Sequence, residues 1–106
     1  MEYISNAFSL NMLDVTASTT LVVNRVTVAD VKKHLPLKSF VGHQATADLL
    51  TKLLDTQIQF NRDELKLYPG DTLFIFQLMT RLPEGKVLTI DELQTLQYKW
   101  YAVTVL

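Results

Sequence analysis

Apolar and polar residues change rhythm several times along this chain, and each rhythm predicts an element. The densest stretch spans residues 71–86, where Leu73, Phe74, Ile75, Phe76, Leu78 and Met79 form an almost unbroken apolar run with Gln77 as its polar interruption. Strict alternation marks a half-buried strand, so a continuous run predicts one covered on both faces. Residues 3–8 predict a short first strand and Leu21–Val26 a β-branched second one. Residues 58–66 alternate at Ile58 and Phe60, then shift phase at Leu65, which predicts a strand or hairpin arm. Tyr68-Pro69-Gly70-Asp71 supplies turn chemistry leading into the central run. At the end of the chain, Trp100, Ala102, Thr104 and Leu106 alternate with Tyr101, Val103 and Val105, so a last strand again has apolar residues on both faces.

Helical spacing interleaves with these strands. Thr27 with Asp30 three residues on caps a helix whose Val28, Val31 and Leu35 share a face and which Pro36 ends. Gly42-His43-Gln44-Ala45-Thr46 leads into a stronger helix over residues 45–55, with a stripe of Ala45, Leu49, Leu50, Leu53 and Leu54. Thr89-Ile90-Asp91-Glu92 has the pattern of a capping box and opens a short helix reaching Leu96. Asn11-Met12-Leu13 reads as loop or a single helical turn, and Phe40-Val41 as a short extended piece. The expected fold class is α/β: a single domain over residues 1–106, with a mixed sheet of about five strands flanked by helices. Strand order is not readable from the pattern.

Charge narrows the function. A formal net charge of -1 argues against a protein that holds long nucleic acid by neutralising phosphates, which carries a basic excess. A compact anion needs only a few cations. The chain has no cysteine, which excludes disulfides, thiolate nucleophiles and thiolate metal sites. No basic stretch followed by an apolar one opens the chain and no run approaches membrane-spanning length, so a cytoplasmic location is expected, in the host cytoplasm if the protein is viral.

Few residues remain as candidates for chemistry. His43 stands at the expected N-terminus of the second helix, where unpaired N–H groups favour an anion. It reads either as a proton donor to the leaving oxygen of a bound phosphate or as a capping or packed histidine. His34, in Lys32-Lys33-His34, reads as a surface residue complementing a helix C-terminus. Arg81, just past the central strand, is suited to bidentate contact with a phosphate, and Glu84 to orienting Arg81 or accepting a proton; a surface ion pair is the plainer reading of both. Between them and beyond, Pro83 to Gly85 reads as a turn. Arg62 is a further phosphate contact, and Gln77 points at a ligand or satisfies neighbouring backbone. The carboxylates are scattered, with no His-x-x-x-His, calcium loop, Gly-x-Ser-x-Gly elbow or Walker phosphate loop, so no metal or cofactor is expected. Metal-free cleavage of RNA fits this inventory, because the 2′-hydroxyl is a nucleophile the substrate brings itself.

Four ordered motifs together resemble one family: residues 6–13 (Asn-Ala-Phe-Ser-Leu-Asn-Met-Leu), residues 42–46, Asn61-Arg62, and Gln77 followed by residues 81–88 (Arg-Leu-Pro-Glu-Gly-Lys-Val-Leu). The chain is similar over most of its length to the viral anti-CRISPR ring nucleases, a family with bacterial and mobile-element members. The resemblance implies an enzyme with a single ring-nuclease-like domain, a homodimer binding cyclic tetra-adenylate across its interface. It implies attack of a ribose 2′-hydroxyl on the adjacent phosphorus, giving linear di-adenylate with a 2′,3′-cyclic phosphate and switching off type III CRISPR signalling. By the same resemblance His43 is the general acid, Arg81 stabilises the transition state and Glu84 supports the site, while Asn6, Ser9, Asn11, Thr46, Arg62 and Gln77 line the ligand pocket. The alternative is a non-catalytic viral or mobile-element protein that binds a cyclic oligonucleotide or DNA. A third reading is a partner-binding domain with no ligand.

Overall fold

The computed structural model describes residues 1–14, 18–79 and 89–106. In chain order the elements are β1 (Glu2–Ser5), a 3-10 turn (Leu10–Met12), β2 (Leu21–Val26), α1 (Val28–Lys32), β3 (Lys38–Ser39), α2 (Gln44–Leu54), β4 (Thr72–Leu78), α3 (Ile90–Thr95) and β5 (Tyr98–Val105). The strands form one five-stranded sheet in the order β2-β5-β4-β1-β3. β1 lies parallel to both β3 and β4, while β5 runs antiparallel to β4 and β2, so β5 alone opposes the other four. The fold is a mixed α/β sheet with helices packed against it.

The central apolar run is β4, the middle strand, and its two alternating sets of side chains serve two cores. Phe74 and Phe76 join Ile4, Trp100 and Ala102 beneath Val31 of α1 and Ala47, Leu50 and Leu54 of α2. On the opposite face Leu73 and Val105 are buried with Leu65 and Leu67, with Tyr3, Phe8, Met12, Leu13 and Ile75 packed around them. Only part of that second face is covered. Further along β4 Gln77 is exposed, and Val23 of β2 is 58% exposed. The reading of two covered faces therefore holds for the first half of the strand and fails at its end. β5 is covered in the same two-sided way, with Trp100 and Ala102 on the helix side and Val105 on the other.

Residues 58–66 do not form the expected strand. Ile58 is buried in the helix-side core, Leu65 lies in the opposite core, and Phe60 makes a single bridge to Val41. The segment wraps around the outer edge of β3, and the phase shift at Leu65 marks its passage from one sheet face to the other. Side chains replace a ladder there: Ser39 Oγ donates to the Gln59 carbonyl at 2.6 Å, and Asn61 Nδ2 donates to the Ser39 carbonyl at 2.9 Å. Wrapping of this kind also shields a sheet edge from other chains. The fifth strand is instead β3, in the stretch just before Phe40 and Val41.

Other boundaries shift for local reasons. β1 stops at Ser5 rather than residue 8, where its hydroxyl accepts the Ala7 N–H at 3.3 Å and turns the chain. α1 ends at Lys32, short of Pro36. α2 spans Gln44–Leu54 and buries Thr46 and Ala47 in place of the expected Ala45, which is exposed. The turn into β4 is as expected: Asp71 accepts the Tyr68 N–H at 2.9 Å, and Gly70 takes a φ of 95°, which a side chain would strain. Thr89 and Glu92 form the reciprocal cap of α3 at 3.2 Å each.

The α1 cap carries a pH dependence. Thr27 Oγ1 accepts the Asp30 N–H at 3.2 Å, and Asp30 Oδ2 accepts the Thr27 N–H at 2.9 Å and hydroxyl at 3.0 Å. These donors, the backbone one foremost, hold the Asp30 carboxyl below its ordinary value of 3.8. Its stabilising contribution is present above that ordinary value and is lost as pH falls through the lowered one. Asp30→Asn is expected to melt earlier than the parent at pH 7, with the gap closing as pH is taken below about 3.8, read by thermal denaturation across a pH series.

Candidate functional site at the carboxyl ends of the parallel strands

Because β1, β3 and β4 run in one direction, the chain leaves all three at the same edge of the sheet. Open α/β sheets hold ligands there. The segments leaving β1 and β3 are joined by side-chain and backbone bonds. Phe40 N–H donates to the Ile4 carbonyl at 2.8 Å, and Ser5 Oγ donates to the Phe40 carbonyl at 3.0 Å. One step further out, Gly42 N–H donates to Asn6 Oδ1 at 3.2 Å. The Asn6 side chain therefore sets the backbone immediately before His43.

His43 is the N-cap residue of α2, with φ -133° and ψ 128°, and its side chain makes no capping hydrogen bond. Its carbonyl accepts the Ala47 N–H at 3.0 Å, so the backbone starts the helix and the exposed imidazole is left to other partners. The next segment adds a cation. Asn61 N–H donates to the Val41 carbonyl at 2.9 Å, which brings Arg62 alongside, and its Cγ would lie 3.8 Å from a Cβ at Gly42. That is ordinary contact, so space alone does not require glycine at this position.

Gln77 is exposed near the end of β4 and shares a concavity of about 360 Å³ with Asn6, Phe8, Val23, Ile75, Tyr101 and Val103. Thr46 is buried in the first turn of α2. Ser9 caps the 3-10 turn, its Oγ accepting the Asn11 N–H at 3.2 Å, and the Asn11 carbonyl accepts Lys66 Nζ at 2.7 Å. The arrangement thus brings Asn6, His43, Arg62 and Gln77 to one end of the sheet, with Thr46 one turn into the helix and Ser9 and Asn11 on the segment after β1. Arg81, Glu84 and the turn at residues 83–85 lie outside the described residues. Among the described residues no group of three His, Asp or Glu is placed to hold a metal ion.

The residues that sequence reasoning missed here build the frame: Ser5 and Ser39 join Asn61 of the Asn61-Arg62 motif in tying three segments together, yet both are common polar residues in short strands, with no spacing to mark them. Tyr101 also lines the concavity and was readable only as an apolar strand position, while Phe8 stood in the motif at residues 6–13 without a role.

A single mixed sheet whose parallel strands gather polar loops at one edge defines a small α/β domain with its candidate site residues at that edge. The chain belongs to the STIV B116-like family, whose model matches residues 2–100. The structure resembles B116 of Sulfolobus turreted icosahedral virus with a TM-score of 0.84, at 32% identity and covering 97% of both chains. Protein 26 of the Sulfolobus islandicus filamentous virus (isolate Iceland/Hveragerdi) is 42% identical over 77 residues, 69% of this chain and 65% of that protein. YddF of Bacillus subtilis (strain 168) is 34% identical over 100 residues, 90% of this chain and 93% of its own. The family thus includes viral and bacterial proteins. Among the described residues no helix is long and apolar enough to cross a membrane.

Proposed function

We propose that this protein is a ring nuclease that cleaves cyclic tetra-adenylate without a metal and so switches off type III CRISPR signalling. The reading rests on the motif resemblance, and one observation carries it further: His43 caps α2 with its backbone alone and has an exposed imidazole, directly after Gly42, whose N–H is held by Asn6 and which Arg62 lies against. In the proposed reaction a ribose 2′-hydroxyl gives up its proton to water as its oxygen bonds to the adjacent phosphorus, the bond from phosphorus to the 5′-oxygen breaks, and His43 gives that leaving oxygen a proton. The products are linear di-adenylates ending in a 2′,3′-cyclic phosphate. Arg62 attracts the phosphate before reaction, Asn6 holds the Gly42–His43 backbone in place, and Gln77 contacts the ligand from β4. Arg81 is assigned to the extra negative charge of the transition state and Glu84 to supporting the site. The working unit is a homodimer, because a ring with two-fold symmetry fits two identical patches.

The test is mass spectrometry of cyclic tetra-adenylate after incubation, beside a binding titration, with and without excess EDTA. Conversion to di-adenylate with a 2′,3′-cyclic phosphate, unaffected by EDTA, is the expected result. Tight binding with the ring intact would mean sequestration instead of cleavage. Cleavage abolished by EDTA and restored by magnesium would overturn the metal-free scheme.

A further inference from the structure

We infer that Asn61 is a positioning residue: its side-chain amide fixes Arg62 against Gly42, immediately before His43, and thereby sets the rate of ring opening. The rate rests on the ring-nuclease reading, whereas the hold on Arg62 stands on bonds within the chain. Arg62 has nothing else to aim it. Among the described residues its side chain makes no hydrogen bond, ion pair or ring contact, and the neighbouring Glu64 carboxylate is taken by Lys66 Nζ at 3.1 Å. Arg62 also lies on no strand or helix, because residues 58–66 wrap the edge of the sheet with one bridge, from Phe60 to Val41. An arginine side chain has many rotamers, so its reach depends on where the backbone puts it.

Asn61 supplies that placement with both ends of its side chain. Its Nδ2 donates to the Ser39 carbonyl at 2.9 Å, and its Oδ1 accepts the Asp63 N–H at 2.9 Å, the two-residue span of an Asx turn. The first bond fastens the segment to β3, and the second bends it at Arg62, the residue enclosed by the turn. The Asn61 N–H donates to the Val41 carbonyl at 2.9 Å, one residue before Gly42. Ser39 completes the clamp from the strand: its hydroxyl donates to the Gln59 carbonyl at 2.6 Å and accepts the Val41 N–H at 3.2 Å. Residues 39–41 and 59–63 are thus held together on both sides of the Phe60–Val41 bridge. Arg62 and Gly42 leave the clamp side by side, with Arg62 Cγ 3.8 Å from where a Cβ on Gly42 would lie. Because both ends of its amide are engaged inside the chain, Asn61 acts on the reaction through Arg62. A displacement of about 1 Å in an aligned group can cost about 100-fold in rate.

A double-substitution cycle tests this role. Asn61→Ala should slow single-turnover cleavage of cyclic tetra-adenylate by about 10-fold or more. The same change in an Arg62→Ala chain should slow it further by less than about two-fold, because the residue through which Asn61 acts is gone. A brace that only strengthens the sheet edge would give equal losses in both backgrounds. Stability is the control: the melting temperature should fall by the same few degrees in both chains, since the bonds to Ser39 and Asp63 are lost in each. Nuclear Overhauser contacts between Gly42 and the Arg62 side chain read the placement without any need for activity. They should be present in the parent and disappear in Asn61→Ala. They should also weaken in Ser39→Ala but persist in Ser39→Thr, which keeps the hydroxyl. Contacts unchanged in Asn61→Ala, or equal rate losses with and without Arg62, would overturn the assignment. A parent that leaves the ring intact, while Asn61→Ala still loses the contacts, would remove the nuclease reading and leave the hold on Arg62 standing.

Discussion

His43→Ala is expected to slow single-turnover cleavage of cyclic tetra-adenylate by about 100-fold or more while leaving the ring's affinity within a few-fold of the parent. Loss of a positioned general acid has that scale. The structure makes the substitution unusually clean. The imidazole is exposed and makes no capping hydrogen bond, so removing it strips no partner from the start of α2. Exposed changes away from such contacts stay within about 0.5 kcal/mol, so the melting temperature should hardly move. Quenched-flow cleavage and a binding titration on one preparation separate the two effects. Full activity in the variant would remove His43 from the reaction, whereas equal losses in rate and affinity would make it a binding residue.

Phe76→Ala should have the largest effect on stability. Phe76 is 1% exposed at the centre of β4, with its ring centre 5.0 Å from that of Trp100 and 5.4 Å from that of Tyr98. Three aromatic rings on adjoining strands leave little room for collapse around an alanine, and truncations of this kind cost roughly 3–5 kcal/mol. That is a large share of the roughly 5–15 kcal/mol that holds a domain folded. The melting temperature should fall by roughly 15 °C or more, as read by circular dichroism. Gln77→Ala, one residue on and pointing to the opposite, exposed face, is the control and should shift it only slightly. A small shift for Phe76→Ala would mean that the helix-side core does not depend on this ring.

Patterns longer than a few residues were legible in advance, because burial imposes a period on them. β2 runs from Leu21 to Val26 as its β-branched composition predicts, and Thr27 with Asp30 closes the reciprocal cap of α1. The almost unbroken apolar run of β4 was readable as a strand covered on both faces, and its alternate side chains do feed two cores until Gln77, where the second face opens. Residues 58–66 misled because alternation records which core a side chain reaches, and a segment wrapping round an edge alternates without pairing. β3 has two residues, too few for any period to show. At the site, His43 was recognisable from its place before a strong helix. The hydrogen bond from Gly42 to Asn6 joins positions 36 apart, and nothing local announces it.

The strand order carries a consequence for synthesis. β1 pairs with the two residues of β3 and then with Thr72–Leu78, where Tyr3 faces Leu73, whereas β2 finds a neighbour only in β5, where Leu21 faces Val105. A nascent chain leaving the ribosome therefore exposes Val22 and Val23 with no ladder to join until β5 has emerged. Pairings this distant along the chain also close slowly. Products stalled before β5 should be prey for proteases and chaperones, because the strand that joins β2 to β4 emerges after the other four.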